Sequence, residues 1–338
     1  MVTRERPTLE AVARRAGVSR ATVSRVVNGS TTVAEAIREA VNQAVDELGY
    51  VPNQAARSLV TQRTDSIALI LPEAASRVFS DDQFFASIVW GVSAELESAD
   101  KQLVLMMAGS SASHDRVERY AMAGHVDGVM FASIHGADPL PGALARLGIP
   151  VVCGGRPLAP ADEASIPYVD VDHSQGIAAA MSRLLEQGRR RIATIAGPQD
   201  MVAGQERLQA FRAAVPEEHR SPVVSIGAFT RESGADAMRQ LLERDPRVDA
   251  VFCASDLMAH GAIAVLKQHG RRVPDDVSIV GFDDIEISKY SDPALTTVRQ
   301  PSADIGKAMA RQMLHLIKGE VVSSSLVLPT ELIVRASA

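Results

Sequence analysis

Residues 8–30 read TLEAVARRAGVSRATVSRVVNGS, and their spacing decides how the head of the chain folds. Thr8 can cap a helix, and Leu9, Val12, Ala13 and Ala16 follow at i, i+3, i+4 and i+7, one apolar stripe. Gly17 suits the left-handed position that stops a helix. After this Gly-Val-Ser turn, Ser19 can cap a second helix with Val23, Val26 and Val27 on its apolar side and Gly29 closing it. A third helix is predicted over about residues 34–48, with Ile37, Val41, Ala44, Val45 and Leu48 on one face and Gly49 after it. Two short helices joined by a tight turn form a helix-turn-helix pattern. Ser19, Arg20, Ala21, Thr22, Ser24 and Arg25 make its exposed polar run.

The charge pattern says what such a unit meets. The whole chain of 338 residues carries a net −6, which argues against a nucleic-acid binder. Residues 1–63, however, carry +3 and the remainder −9, and within residues 1–30 six Arg face only Glu5 and Glu10. A small basic head on a larger acidic body points to DNA at the head, against the plainer reading of an ordinary three-helix bundle. Pro52 then opens a short helical piece, NQAARSLV, followed by the polar stretch TQRTDS. A helix of this length is not stable alone in water, so it reads as a linker that orders when something packs against it.

From Ser66 onward the texture changes. Apolar runs recur at 66–71, 102–107, 126–132, 149–153, 168–171, 191–197, 222–226, 249–254 and 277–282, with amphipathic helical stretches between most of them. Strands alternating with helices imply parallel sheets covered on both faces, and the length calls for two α/β lobes. Hydrophobic residues make up 46% and charged residues 22%, which excludes wholesale disorder. No apolar run approaches a bilayer span, and MVTRERPTLE has no apolar segment behind its charges, so neither an anchor nor a secretory signal is expected. Cys153 and Cys253 sit singly in apolar runs, excluding a disulfide framework and fitting a reducing compartment. Neither GxSxG, HExxH nor a P-loop occurs, and no two of the eight histidines are spaced i, i+4. The chain is therefore read as neither an enzyme nor a metal protein, and no cofactor is expected.

The stretch from Thr8 to Ser30, followed by ELGYVPNQAARSL (47–59), closely resembles the LacI/GalR family of bacterial transcription regulators. The resemblance continues through QGRRRIATIAGP (187–198), ERLQAFRAA (206–214), residues 256–284 and PALTTVRQP (293–301), so it covers essentially the whole chain. It implies a DNA-binding head over residues 1–51, a hinge helix and linker over 52–64, and a two-lobed core shaped like a periplasmic binding protein. The core divides on that pattern into a first lobe of residues 65–163 and 294–324 and a second of 164–293 and 325–338. It further implies a cytoplasmic repressor, at the nucleoid when bound to its operator, that acts as a homodimer on a pseudo-palindromic site and responds to a small effector in the cleft.

Residue by residue, the resemblance puts Arg20 and Ala21 at the base-reading pair of the second helix and Arg25 at a further base contact. Ser19, Thr22, Ser24 and Asn28 suit phosphates. Leu59 matches an apolar wedge for the minor groove, with Asn53, Ala56 and Arg57 along it; packing of Leu59 on the core is the other reading. Ala34 stands where the family often has Ser, which removes a helix cap unless Thr32 substitutes. In the core, Phe84, Phe85, Arg156, Arg207, Phe229, Ser255 and Asp283 match effector-contacting positions. The three Phe read equally as core aromatics, Arg207 as a surface ion-pair residue, and Asp256 as the cap of its own helix, with Asp284 able to cap the turn beside Asp283. Gly155 replaces a frequent Asp and Ser255 a frequent Asn, changes that widen the cleft toward a longer saccharide.

Within the family, residues 2–13 and 56–73 most resemble cellobiose-responsive regulators of cellulose use. A purine corepressor or a phosphoprotein partner, or a secreted solute-binding protein with the same two-lobed core, are the competing readings. The chain ends in ELIVRASA without a heptad tail, so a dimer rather than a tetramer is expected. An Arg can pair bidentately with guanine O6 and N7, worth about 1–3 kcal/mol of discrimination. Arg20→Ala is therefore expected to weaken binding to a guanine-containing half-site while relaxing base preference at one position; equal losses on all sequences in a gel-shift series would assign Arg20 to phosphate instead.

Overall fold

The computed structural model describes residues 7–28, 30, 32–51, 63–78, 83–158, 166–216 and 223–338. The chain forms two compact units, residues 1–64 and 65–338. In the head, α1 spans Leu9–Ala16, α2 Arg20–Val27 and α3 Glu35–Leu48. Thr8 Oγ1 accepts the Ala11 N–H at 3.2 Å, and Gly17 ends α1 at φ 68°. Ser19 Oγ accepts the Thr22 N–H at 3.1 Å and caps α2. No side chain caps α3: Ala34 offers none, and Thr32 instead pairs its hydroxyl with that of Ser30. Val12, Ala13, Val23, Val26, Val41, Ala44 and Tyr50 fill the small core. Ile37, expected on that face, is 38% exposed in the first turn of α3. The expected closing residue Gly29 and the hinge positions Asn53, Ala56, Arg57 and Leu59 lie outside the described residues.

In the larger unit the first lobe contains β1 Ser66–Leu71, α4 Ala75–Val78, α5 Gln83–Ser98, β2 Gln102–Met107, α6 Ser111–Met122, β3 Gly128–Ala132, α7 Leu140–Arg146, β4 Val151–Gly154 and β5 Tyr168–Val171. The second contains α8 His173–Glu186, β6 Ile192–Ala196, α9 Val202–Ala214, β7 Val224–Ile226, α10 Arg231–Arg244, β8 Ala250–Cys253, α11 Asp256–Gln268, β9 Ser278–Asp283, α12 Ile287–Tyr290 and β10 Thr296–Arg299. The chain then returns to the first lobe for α13 Ser302–Ile317 and β11 Ser325–Leu328, and ends in the second with β12 Glu331–Ile333. All nine apolar runs of the sequence are strands.

The two sheets have matching order, β11-β5-β4-β3-β1-β2 and β12-β10-β9-β8-β6-β7. Every pairing is parallel except β10 with β12. Each sheet reverses its winding at one point, between β1 and β3 and between β6 and β8, so ligands are expected outside the carboxyl ends there.

The lobe limits expected from sequence misplace three strands. β5 and β11 pair in the first sheet, not the second, and β10 pairs in the second, not the first. The chain crosses between lobes just after β5, after β10 and after β11. A strand near a crossover has the same composition whichever sheet it joins, so hydrogen-bond pairing decides where it belongs. Among the described residues no helix is long and apolar enough to cross a membrane.

Helices pack closely where glycine removes the side chain. A Cβ on Gly91 of α5 would lie 2.0 Å from the Ala303 carbonyl oxygen, and one on Gly306 of α13 2.4 Å from that of Ile88. Each glycine thus admits the backbone of the opposite helix. Gly91→Ala is expected to destabilise the core by about 1–3 kcal/mol through overpacking, read as a lower midpoint at unchanged slope in urea denaturation.

Candidate functional site

Two sites emerge, one in each unit. In the head, α2 buries Val23 and Val26 and presents Arg20, Ala21 and Arg25 exposed, with Ser24 and Asn28 half-buried beside them. Residues spaced i, i+1, i+4 and i+5 share one face of a helix, so the expected base-reading residues point the same way. Arg20 Nε lies 3.1 Å from Glu10 Oε1, and both side chains are more than half exposed. Such a pair contributes at most about 1 kcal/mol, a small penalty for a guanidinium that turns to a base. Asn28 Nδ2 donates to Ser24 Oγ at 3.3 Å, and the Ser19 and Thr22 hydroxyls pair at 2.9 Å. Ser19 and Thr22 stand at the start of α2, the arrangement that suits a phosphate, while Ser24 and Asn28 pair toward its C-terminal end.

In the core, the carboxyl ends of both sheets line an open cleft with about 840 Å³ of empty space, solvent at its mouth included. Its wall includes all seven residues singled out in the sequence: Phe84, Phe85, Arg156, Arg207, Phe229, Ser255 and Asp283. It also includes Arg77, Asp170, His173 and Gln300, which sequence reasoning missed. The last three stand at or beside chain crossovers, where no local motif marks them. Arg77 falls four residues after Glu73, a helical spacing that was the available signal.

Arg207, on α9, is 5% exposed and so is not a surface ion-pair residue. Its Nη1 donates to the Ala254 carbonyl at 2.7 Å, and Nη1 lies 3.6 Å from Asp283 Oδ1. Nη2 reaches Gln300 Oε1 at 3.4 Å, while Gln300 Nε2 donates to Asp283 Oδ1 at 2.6 Å. The guanidinium lies 3.7 Å from the centroid of the Phe282 ring and 5.6 Å from that of Phe229. Arg77 lies 6.0 Å from the same Phe229 centroid and 5.9 Å from that of Phe85. Phe85 is fully buried and Phe229 nearly so, while Phe84 packs edge-on against Phe85. These rings serve the core and the cavity wall together.

Backbone strain collects at the same place. Ser133, Phe229, Asp283 and Asp284 adopt φ of 63°, 56°, 118° and 58°. Left-handed non-glycine residues cost of order 1–3 kcal/mol each and persist where surrounding structure holds them. Arg335 and Arg299 hold Asp284, at 2.5 and 2.8 Å. Gly155 also lines the cavity, at φ 88°, and a Cβ there would meet nothing within 4 Å. The absence of a side chain therefore leaves open space in the cleft.

Ser255 caps α11 by accepting the Met258 N–H at 3.3 Å. The cap role expected of Asp256 thus belongs to its neighbour. Asp256 is fully buried and instead ties together Thr297 Oγ1 at 2.5 Å, Ser288 Oγ at 2.8 Å and the Ile285 N–H at 3.0 Å. It fixes the turn after β9 that presents Asp283. Burial pushes its carboxyl above the usual carboxylate range, against those three donors.

Asp170, His173 and Glu206 bring three donor atoms within 4.8 Å of one another. Arg207 Nε points at His173 Nδ1, 3.4 Å away, which assigns the ring proton to Nε2, facing the two carboxylates. Nε2 lies 3.5 Å from Asp170 Oδ1 and 3.8 Å from Glu206 Oε2, so the three groups stand together at the crossover without a hydrogen bond through that nitrogen. Arg156, half-exposed, pairs with Glu206, while its backbone N–H donates to Asp170 Oδ2 at 3.0 Å. Burial opposes ionisation of Asp170, yet His173 and the backbone N–H groups hold its carboxyl below the usual range.

Residues 8–53 match the family described as bacterial regulatory proteins, lacI family, and residues 181–338 match the periplasmic binding protein-like domain. The chain is 51% identical over 341 aligned positions, covering all of both proteins, to the HTH-type transcriptional regulator CelR of Thermobifida fusca. A solved structure of a CelR–cellobiose complex superposes with a TM-score of 0.77 at 49% identity, covering 98% of this chain and 100% of that one. The lac repressor dimer bound to operator and the anti-inducer ONPF superposes with a TM-score of 0.83 at 27% identity, covering 98% and 99%.

Removing one partner of a buried ion pair leaves an uncompensated charge, at about 3 kcal/mol. Arg207→Met is expected to lose about that much stability in urea denaturation. Adding Asp283→Asn should restore part of the loss, and strictly additive losses would show that the two groups do not interact.

Proposed function

We propose, from the premise that the chain belongs to the LacI family of bacterial regulatory proteins, that it is a dimeric repressor of sugar-utilisation genes whose hold on DNA weakens when a cello-oligosaccharide closes its cleft. Cellobiose is the first candidate. The observation that carries this reading is the set Arg207, Asp283 and Gln300 on the cavity wall beside the Phe84 and Phe229 rings. A sugar offers adjacent hydroxyls along its edges and C–H groups on its faces. Charged forks and amides suit the edges, and aromatic rings suit the faces. The full-length likeness to CelR and the cellobiose complex of that protein support the choice of saccharide.

At the head, α2 enters the major groove. Arg20 and Arg25 read base edges, Ala21 offers a methyl contact, and Ser19, Thr22, Ser24 and Asn28 bind phosphates. Asn53, Ala56, Arg57 and Leu59 engage the minor groove at the operator centre. The dimer pairs through its core lobes, with twofold symmetry matching an inverted repeat. The protein works in the cytoplasm, at the nucleoid when bound, and acts by binding rather than catalysis, without a resident cofactor.

Effector closure of the lobes shifts the population away from the DNA-binding state. A 100-fold release corresponds to about 2.7 kcal/mol of coupling. Titration of a disaccharide panel into the full chain, alone and on an inverted-repeat duplex, tests the proposal. Cellobiose is expected to bind and to weaken operator affinity by at least that factor. Tighter operator binding would make the ligand a corepressor, and no response to any disaccharide would remove the saccharide reading.

A further inference from the structure

His135 follows β3 in the first lobe, and its ring stands between two carboxylates. Nε2 lies 3.0 Å from Glu73 Oε1, and Nδ1 lies 2.9 Å from Asp200 Oδ2. Glu73 belongs to the first lobe and is buried; it also accepts from Arg77 Nη1 at 2.8 Å and Ser133 Oγ at 2.6 Å. Asp200 belongs to the second lobe, and its backbone carbonyl accepts the Gly136 N–H at 2.7 Å. The residues on either side, Ser133 and Ile134 in one lobe and Met201 in the other, line the cavity. His135 thus joins the lobes at the lip of the cleft.

A neutral imidazole has one N–H and donates to one carboxylate only. Its second nitrogen would then set a lone pair against a carboxylate oxygen at hydrogen-bond distance. Only the imidazolium, with two N–H groups, satisfies both partners. When the lobes separate, Glu73 stays with the ring and Asp200 leaves. We propose that His135 is a proton-dependent latch on lobe closure, so that the cleft takes up a proton together with its ligand. The proposal rests on the reading of the cleft as an effector site and adds a regulator to it.

Among the described residues, the charged and titratable groups around the ring are Glu73, Asp200, Arg77 held on Glu73, and the His114–Asp138 pair, 3.8 Å apart, on the same rim. Glu73 holds the imidazolium above its ordinary value, burial opposes this, and Asp200 adds to the rise. Closure therefore raises the ring's proton affinity. Ligand affinity is full below the open-state pKa, falls as pH rises through the closed-state pKa, and is flat above it.

Isothermal titration of the full chain with cellobiose, from about pH 6 to about pH 8.5 in two buffers of different ionisation enthalpy, reads this directly. The expected results are fractional proton uptake and an affinity about three- to tenfold weaker at the alkaline end. Asp200→Asn and His135→Gln should each flatten that dependence while leaving binding measurable. A second readout follows the ring itself. In NMR titration of histidine-labelled protein saturated with cellobiose, with the lobes closed, Asp200→Asn should lower the proton affinity of the His135 ring by about tenfold. Equal His135 titration with and without the Asp200 carboxylate would overturn the latch, as would a wild-type affinity independent of pH or a dependence unchanged in both variants. If cellobiose fails to bind at every pH, the saccharide reading falls, and the same ring titration in protein held shut by an engineered cross-link between the lobes decides the latch.

Discussion

A single guanidinium in a dry place organises the core. Removing a charge from water is expensive unless every part of it is paired, and Arg207 is paired on all sides. Its partners come from the end of β8, the end of β9, the start of α8 and the segment after β10. The last two mark two of the crossovers between lobes. The same cation that forms the polar floor of the cleft therefore also ties together the strands around which the lobes are hinged. A ligand that competes for Arg207, Gln300 or Asp283 acts on the hinge as it binds, without any relay of distant contacts.

Closure is held by a different set of interactions at the rim. His135 with Asp200, Arg156 with Glu206, and the Gln83 side chain with the Glu286 N–H each join one lobe to the other. They are polar and partly exposed, so each is worth little alone. That weakness suits a molecule that must open: the buried core fixes each lobe, and the rim leaves the balance between open and closed within reach of a small ligand's binding energy. The strained φ values of Ser133, Phe229, Asp283 and Asp284 fall at the same strand ends. The sheets are rigid enough to hold these residues in unfavourable backbone shapes and aim them into the cleft.

Much of this was legible along the chain because the signals are local. Thr8, Gly17 and Ser19 act through bonds within three or four residues, and the helices they delimit follow from that. Strands buried on both faces read as continuous apolar runs, and nine such runs became β1 to β9. The strands that escaped notice, β10 to β12, read TTVR, SLVL and ELI. β10 is rich in Thr because Thr296 and Thr297 bond side-chain hydroxyls to Ala338 and Asp256, and β11 is largely exposed. Ser255 took the cap role expected of Asp256 for a related reason. Either residue can cap a helix locally, and only the arrival of Thr297 and Ser288 from far along the chain makes Asp256 the buried anchor.

By itself the sequence determined the helix-turn-helix head, the alternation of strands and helices and the two-lobed class, since these follow from short-range periodicity, capping and motif, while seven of the residues that meet in the cleft came from the likeness to the LacI/GalR family. Tertiary structure alone decided which sheet each crossover strand joins, that Arg207 is buried rather than exposed, and that His135 bridges two lobes. Those facts depend on pairings between residues tens to hundreds of positions apart. A side chain's charge, burial and partner in such a pairing are properties of the neighbour it meets, and nothing in its own stretch of sequence specifies that neighbour.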